Sequence, residues 1–351
     1  MPTDLLNRFM LTEQQKNEIV DFFSGKKKIA LTTHQNPDGD AVGSVLAMMH
    51  YLKAKGHEVT AIVPNNFPGF YAWMPGINEI VNFERQTALV KKTLLEADMV
   101  FSLDYNSFGR VGQMTDILKS SPGKKFLIDH HIDPEEGFDY YFSTTETTST
   151  GQLVYRFIQM MDDDAFINKE VAVAVYVSIM TDTGSFSFAC NYPETYHIIA
   201  KLIEKGVDAE RVHKLVYDTF SENRLRLLGY AISERMLVWH KLHTAVIYLT
   251  KSDLKRFNYR VGDTEGVVNY PLSMENINLS ILITEKEKKI KLSFRSKGNF
   301  NVNLLARNGF NGGGHKNAAG GHTFTTVEKT LDDLKTVLEM HKEELNYKLS
   351  Y

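Results

Sequence analysis

The stretch Lys28-Ile29-Ala30-Leu31-Thr32-Thr33-His34-Gln35-Asn36-Pro37-Asp38-Gly39-Asp40 sets an apolar, β-branched run directly against acids and a histidine. Residues 28–33 have the length and composition of a buried strand. From Asp40 to Lys55 the side chains Val42, Val45, Leu46, Met49 and Leu52 recur at spacings of three and four, and Gly56 ends the run. A helix is expected there. Val59 to Val63 reads as the next strand. Strand, helix, strand in this order implies a parallel pair joined by a right-handed crossover. Met99 to Leu103 and Lys125 to Ile128 are further strand candidates, and each runs straight into acidic or histidine residues. Open parallel sheets bind ligands beyond the carboxyl ends of their strands. The polar residues after these strands are therefore where chemistry is expected.

Further along, Thr148 to Met161 and Val171 to Met180 read as helices, although the β-branched content of the second leaves a strand open as an alternative. Glu194 to Glu204, Ala209 to Phe220 and Asn223 to Met236 read as three helices in succession, which breaks the alternation and suggests a connector. His243 to Leu249, Leu279 to Thr284 and Lys289 to Phe294 are strand-like, the last two forming a hairpin around Glu285-Lys286-Glu287-Lys288. Gly312-Gly313-Gly314 reads as a loop, and Val327 to Leu345 as a closing amphipathic helix. The expected architecture is α/β: an N-terminal parallel-sheet domain over 1–192, a helical connector over 193–237, and a smaller C-terminal α+β domain over 238–351. The active-site cleft is expected between the two domains.

Bulk properties narrow the function. The 351 residues are 43% hydrophobic and 24% charged, which excludes disordered, collagenous and coiled-coil classes. A formal net charge of −3 provides no global attraction for long nucleic acid, so a nucleic-acid ligand should be short or locally held. Cys190 is the one cysteine, so no intrachain disulfide forms, as suits a reducing compartment. Met1-Pro2-Thr3-Asp4 lacks the basic start of a secretory leader, and the longest apolar stretch, Val171 to Met180, is interrupted by Ser178. A cytoplasmic location with no membrane partner is expected.

Four clusters carry candidate chemistry. In the first, Asp38 and Asp40 flank Gly39 in a turn, with His34 at the strand exit. Alone, such an Asp-Gly-Asp is most often a turn in which Asp40 caps the helix; His34 shifts it toward metal binding. Asp104 closes Phe101-Ser102-Leu103 and carries little weight by itself. Asp129-His130-His131-Ile132-Asp133 follows an apolar strand directly, and on an extended backbone the adjacent histidines would point to opposite sides, leaving one as a direct ligand. Asp182, in Thr181-Asp182-Thr183-Gly184, closes a buried segment and would need a partner there. An acid is also unfavourable at a helix C-terminus. Together Asp38, Asp40, Asp104 and Asp182 supply four negative charges, and His34 and His130 supply neutral nitrogens. Such acids repel one another in one low-dielectric cleft. Two divalent cations would cancel that charge, with Asp104 as the bridging carboxylate. The mixed nitrogen and oxygen set suits Mn²⁺, with Mg²⁺, Co²⁺ and Zn²⁺ as alternatives. A cation pair of this kind activates water and stabilises the oxygens of a phosphoryl displacement.

The C-terminal part carries Ser293-Phe294-Arg295-Ser296-Lys297-Gly298 and Gly312-Gly313-Gly314-His315-Lys316-Asn317-Ala318-Ala319-Gly320-Gly321-His322. A glycine run lets backbone N–H groups approach an anion closely. Arg295 can grip a phosphate bidentately, His315 can donate to the same group, and Ala318 and Ala319 are expected to open a helix whose N-terminus adds to the site. Ser296, Gly313 and Gly314 complete the candidate phosphate-binding set. Tyr105, Phe108, Tyr192 and Tyr270 are candidates for stacking on bases, with packing the commoner role for each.

These motifs resemble the DHH phosphoesterase superfamily, named for Asp129-His130-His131, and the C-terminal ones resemble its DHHA1 domain. The resemblance runs over roughly 27–321 and is closest to the subgroup of bifunctional oligoribonucleases and 3′-phosphoadenosine 5′-phosphate phosphatases. It implies that His34, Asp38 and Asp104 hold one Mn²⁺, and that Asp40, Asp104, His130 and Asp182 hold the other. Asp129 and His131 would stand behind the ligands or face the substrate, and Arg295 and His315 would bind a terminal phosphate. The implied activity is hydrolysis of 5′-phosphorylated RNA oligonucleotides of two to four nucleotides, or of nucleoside bisphosphates such as pAp. Linear dinucleotides from cyclic dinucleotide turnover are an alternative substrate, and a non-catalytic nucleotide-binding regulator is an alternative role. A homodimer is implied by the resemblance alone. Two positions depart from the family pattern: Asn311, where a further glycine is frequent, and Phe294, where smaller aliphatic residues are usual.

Overall fold

A computed structural model describes residues 9–348; Met1 to Asp4 and the outer ends of the expected domains lie outside the described residues. The chain divides into two compact units at Thr219/Phe220. The boundary falls inside the 193–237 stretch, which forms no separate connector: its first two helices belong to the first unit and its third to the second.

Among the described residues the first element is α1 (Glu13–Phe22), whose N-terminus is closed by a capping box between Thr12 and Gln15. There follow β1 (Lys28–Thr33), α2 (Gly39–Ala54), β2 (Glu58–Val63), β3 (Val81–Asn82), α3 (Thr87–Glu96), β4 (Met99–Leu103), α4 (Thr115–Ser120), β5 (Lys124–Asp129) and β6 (Tyr140–Ser143). The strands form a six-stranded sheet in the order β3-β2-β1-β4-β5-β6, with every neighbouring pair parallel. From β1 the chain winds outward one way through β2 and β3, then restarts at β4 and winds the other way. The β1/β4 junction is thus the topological switch point, where a crevice opens beyond the strand ends.

Four helices complete the unit: α5 (Thr150–Met160), α6 (Lys169–Asp182), α7 (Pro193–Glu204) and α8 (Ala209–Tyr217). The 171–180 segment is helical, not a strand. Asn168 caps it by accepting from Val171 N at 2.9 Å, and every residue from Val171 to Met180 is buried. Burial on all sides, against α2 and α5 among others, outweighs the modest helix propensity of its valines.

The second unit comprises α9 (Glu222–Glu234), β7 (Met236–Trp239), β8 (Thr244–Leu249), α10 (Lys251–Arg256), β9 (Leu279–Glu285), β10 (Ile290–Ser296), α11 (Val302–Gly309), β11 (Gly313–Gly314), β12 (Ala318–Thr323), α12 (Val327–Met340) and α13 (Lys342–Leu345). Its mixed sheet has the order β11-β12-β10-β9-β8-β7, with β8 and β9 parallel and the other pairs antiparallel. Two sequence expectations are corrected here. Residues 318–323 form a strand paired with β10, so no helix starts at Ala318. The closing helix is broken at His341 into α12 and α13. Phe294 is fully buried and packs against Phe310 with ring centroids 5.6 Å apart, so its extra bulk fills the core.

Asp253 ties α10 to this sheet. It accepts from Arg235 Nη2 (2.8 Å) and Nε (3.0 Å), from Tyr230 Oη (2.9 Å) and from Thr250 N (2.9 Å). Burial pushes its carboxyl up, but the bonds from Arg235 and Thr250 outweigh this and hold it at about 2. A depressed carboxyl contributes stability above its unfolded value and loses it as pH falls. Asp253→Asn should therefore lower stability at pH 7 by about 2 kcal/mol. In thermal melts the gap to wild type should close between pH 4 and pH 2; a gap independent of pH would contradict the assignment.

Candidate active site

The strand ends around the switch point carry the acids and histidines. His34 follows β1, Asp104 follows β4, Asp129 closes β5 with His130 and His131 next, and Asp182 closes α6. Asp104 takes a left-handed φ of 67°, which turns the chain sharply off its strand. Asp38, not Asp40, caps α2, accepting from Ala41 N at 3.1 Å. That leaves Asp40, 2% exposed, in the first helical turn.

Asp40 is held by groups distant in sequence. It accepts from Thr150 N at 2.8 Å and Gly151 N at 3.0 Å, so its charge sits on the N-terminus of α5. Ser44 Oγ donates at 3.0 Å, and Ser178 Oγ also donates. Gly151 is required by this approach: a Cβ there would lie 2.1 Å from Ser178 Oγ. Thr150 Oγ1 donates to Asp104 Oδ1 at 2.9 Å. Thr150, Gly151 and Ser178 are the residues that sequence reasoning missed. The Ser149-Thr150-Gly151 start of a helix was a readable signal; Ser178 registered only as an interruption of an apolar run.

The donor atoms converge. His34 Nε2 lies 3.4 Å from Asp104 Oδ2 and 3.8 Å from Asp38 Oδ1. His130 Nε2 lies 3.5 Å from Asp40 Oδ2, 3.6 Å from Asp104 Oδ1 and 3.5 Å from Asp182 Oδ2. The two Asp104 oxygens thus face different histidines. These separations exceed hydrogen-bond length. They would let the paired donors share a cation between them. Two triads, His34/Asp38/Asp104 and Asp40/His130/Asp182, each bring their ligand atoms within 4.8 Å of one another. The donor chemistry fits divalent cations: oxygen-rich, with one imidazole in each set.

The electrostatics agree. Burial, and then the charge of Asp40, raise the Asp104 carboxyl well above the usual carboxylate range. Burial lowers the His34 imidazole, but Asp104 and Asp38 outweigh it and bring it to about 10. A cation bound there would compete with that proton. The Nδ1 of His34 lies 3.0 Å from Gln35 O, so as a donor it leaves Nε2 to face the acids.

The two adjacent histidines do not point to opposite sides. The backbone turns after Asp129, with His131 N donating to Asp129 Oδ2 at 3.0 Å, and the rings lie 5.0 Å apart edge to face. His131 Nδ1 is 2.7 Å from Asp129 Oδ1 and 3.9 Å from Asp104 Oδ1. Burial pushes the His131 imidazole down. It pushes the Asp129 carboxyl up, but the His131 pairing outweighs this and leaves it low. Both shifts suit a neutral ring donating Nδ1–H to a carboxylate.

In the second unit, Arg295 stands opposite Ala318 in the β10–β12 register, and the turn from His315 to Ala318 closes with His315 N donating to Ala318 O at 2.7 Å. Arg295 and His315 thus share one end of the sheet. Gly312 permits the close approach of the glycine strand, since a Cβ there would meet Gly320 O at 1.9 Å. Asn311 has a φ of 43°, the conformation glycine adopts most freely, and asparagine is among the side chains that tolerate it. The Ser296 hydroxyl donates to Phe300 O (2.7 Å) and accepts from Asn317 Nδ2 (2.9 Å), so it braces the loop in this structure. Of the stacking candidates, Tyr105 and Phe108 are buried, Tyr105 bonded to Thr32 and Ser102 and Phe108 stacked on Phe138. Tyr192 is half-buried and Tyr270 exposed. Among the described residues, no helix is long and apolar enough to cross a membrane.

Residues 28–179 match the DHH family, N-terminal domain, and residues 242–345 match the DHHA1 domain. The chain is similar to the bifunctional oligoribonuclease and PAP phosphatase NrnA of Thermus thermophilus, 30% identical over 322 residues and 90% of each chain. The protein of that name from Bacillus subtilis is 24% identical over 330 residues, 93% of this chain and 100% of the relative. Among solved structures, an exopolyphosphatase-related protein from Bacteroides fragilis is 41% identical, covers 96% of this chain and 100% of its own, and superimposes with a TM-score of 0.90. RecJ from Thermus thermophilus, solved with Mn²⁺, shares the fold at 12% identity and a TM-score of 0.55; the match covers 98% of this chain and 57% of that one.

Proposed function

This chain belongs to the DHH family of phosphoesterases and carries a DHHA1 domain, and we propose that it hydrolyses short 5′-phosphorylated oligoribonucleotides to mononucleotides, and the 3′-phosphate of pAp, with two Mn²⁺ ions. The observation that carries the reading is the placement of Asp104, whose two oxygens face His34 on one side and His130 on the other. His34, Asp38 and Asp104 would hold one cation, and Asp40, Asp104, His130 and Asp182 the other. When bound, the cations supply charge neutralisation and water activation for in-line displacement at phosphorus.

The protein's own groups do the positioning. The α5 N-terminus, Ser44 and Ser178 fix the Asp40 carboxylate, and Thr150 fixes that of Asp104. Asp129 holds His131 with Nδ1 as donor, so its Nε2 is the atom that can exchange a proton with substrate. Arg295, His315 and the amides of Gly313 and Gly314 would take the substrate's distal phosphate.

The test is release of mononucleotide from a labelled 5′-phosphorylated dinucleotide with Mn²⁺, run beside pAp, a linear dinucleotide from cyclic dinucleotide opening, and inorganic polyphosphate. The highest kcat/KM is expected on the dinucleotide. No mononucleotide release by wild type would refute the reading, and a preference for polyphosphate would move it toward the activity named for the Bacteroides relative. Arg295→Met should raise KM for the dinucleotide roughly 10- to 100-fold, the loss of a charged hydrogen-bond pair, with the larger part of the effect in KM.

A further inference from the structure

The segment after Asp182 carries backbone strain. Gly184, Ser185, Phe186 and Ala189 have φ of 54°, 57°, 64° and 50°. For a serine, a phenylalanine and an alanine this is a costly conformation that persists only where the surroundings over-determine it, and such strain gathers at functional sites. The surroundings here do so. Thr183 O accepts from Ser187 N (2.8 Å) and Phe188 N (3.1 Å), and Thr183 Oγ1 accepts from Phe186 N (3.0 Å) while donating to Ile179 O (2.7 Å). Ser185 N donates to Met180 O at 2.7 Å, Ser185 Oγ lies 3.1 Å from His213 Nδ1, and Cys190 Sγ donates to Phe186 O at 3.3 Å.

Within this hydrogen-bonded turn Phe186 packs inward near Tyr176 and Tyr196. Phe188 does not: its side chain is 42% exposed, lying over Gly184, where a Cβ would come within 2.2 Å of its ring. A large aromatic left half in water gains little for folding. Its backbone is bonded to the residue next to Asp182, so it is anchored beside the candidate cation site, and a nucleotide's base lies one sugar away from its phosphate. We propose that Phe188 is a specificity-determining residue whose ring stacks on a base of the substrate. This rests on the nucleotide reading above. Base–aromatic stacking accepts any base, because every base has a π-face. The hydrogen-bonded turn fixes the backbone that carries the ring, so less ordering remains to be done on binding.

The test uses the full chain with Mn²⁺, as wild type, Phe188→Ala and Phe188→Tyr. Substrates are a 5′-phosphorylated ApA dinucleotide and the base-free diester bis(4-nitrophenyl) phosphate. Phe188→Ala should raise KM for the dinucleotide roughly 5- to 150-fold, the span of one stacked base. That loss should exceed the loss on the base-free diester at least fivefold, and Phe188→Tyr should recover most of it. An equal loss on both substrates, or an unchanged dinucleotide KM, overturns the proposal. A second arm needs no turnover: quenching of a 2-aminopurine dinucleotide on binding with Ca²⁺ in place of Mn²⁺. Wild type and Phe188→Tyr should quench it and Phe188→Ala should not. Absent or equal quenching overturns the stacking, even where the dinucleotide proves not to be the substrate hydrolysed.

Discussion

Asp104→Asn is expected to lower turnover of the dinucleotide by on the order of 10²–10³-fold or more, because it removes a carboxylate that faces both histidines. The substitution is nearly isosteric, and the amide oxygen it introduces could still accept from Thr150 Oγ1, as the Asp104 carboxylate does at 2.9 Å. Folding should survive. The cation-free variant should in fact melt higher than cation-free wild type. In wild type a buried charge at Asp104 faces burial and the charge of Asp40, both of which disfavour it. Removing that charge relieves the repulsion. Conversely, the rise in melting temperature that Mn²⁺ gives wild type by mass action should shrink or vanish in the variant. Melts with and without Mn²⁺ therefore separate a cation role from a purely structural one. A variant that keeps activity within tenfold, or keeps the full Mn²⁺ stabilisation, would show that the carboxylate bridges nothing.

Gly43→Leu should give the largest loss of stability. Gly43 lies on α2 where it crosses α6, and a Cβ there would stand 2.6 Å from Ala174 O and 2.9 Å from Ser178 Cβ. Those neighbours are backbone and a buried side chain, so neither can swing aside. Even alanine must push the helices apart, and leucine should cost about 3 kcal/mol or more, at the upper end of overpacking effects. The damage reaches the chemistry, since Asp40 rides on α2 and both Ser178 and Asp182 ride on α6. Mn²⁺ affinity should fall along with the melting temperature. Gly229→Ala is the control: it lies within α9 with nothing within 4 Å of the added methyl, so it should be neutral or stabilising by up to about 1 kcal/mol. Comparable losses for both variants would mean that close helix packing is not the cause.

The divide between what could be read and what could not follows the range of the interactions involved. The strands at 28–33, 59–63, 99–103 and 125–128 were legible because each is a short apolar run ended by polar residues, a local property. β3 and β7 escaped notice: the first has two residues, and both are only partly buried. At the site, His34 and Asp129-His130-His131 stood out because parallel strands deliver their last residues to one edge, while Asp104 gained weight only in combination with them. Asp40 was named among the acids, but the groups that hold it were not, since Thr150, Gly151 and Ser178 lie more than a hundred residues away. The bonds of the Ser296 hydroxyl to Phe300 and Asn317 were unreadable for a similar reason.

The amino-acid sequence by itself determined that a parallel α/β unit would present acids and histidines at strand ends, and that a glycine-rich mixed unit would follow. Only the tertiary structure decided that 171–180 is a helix, that 318–323 is a strand, that both DHH histidines turn the same way, and which carboxylate is held by which hydroxyl. Periodicity is written in neighbouring residues. Burial on all sides, strand pairing and the sharing of a carboxylate are set by residues that meet only once the chain has folded.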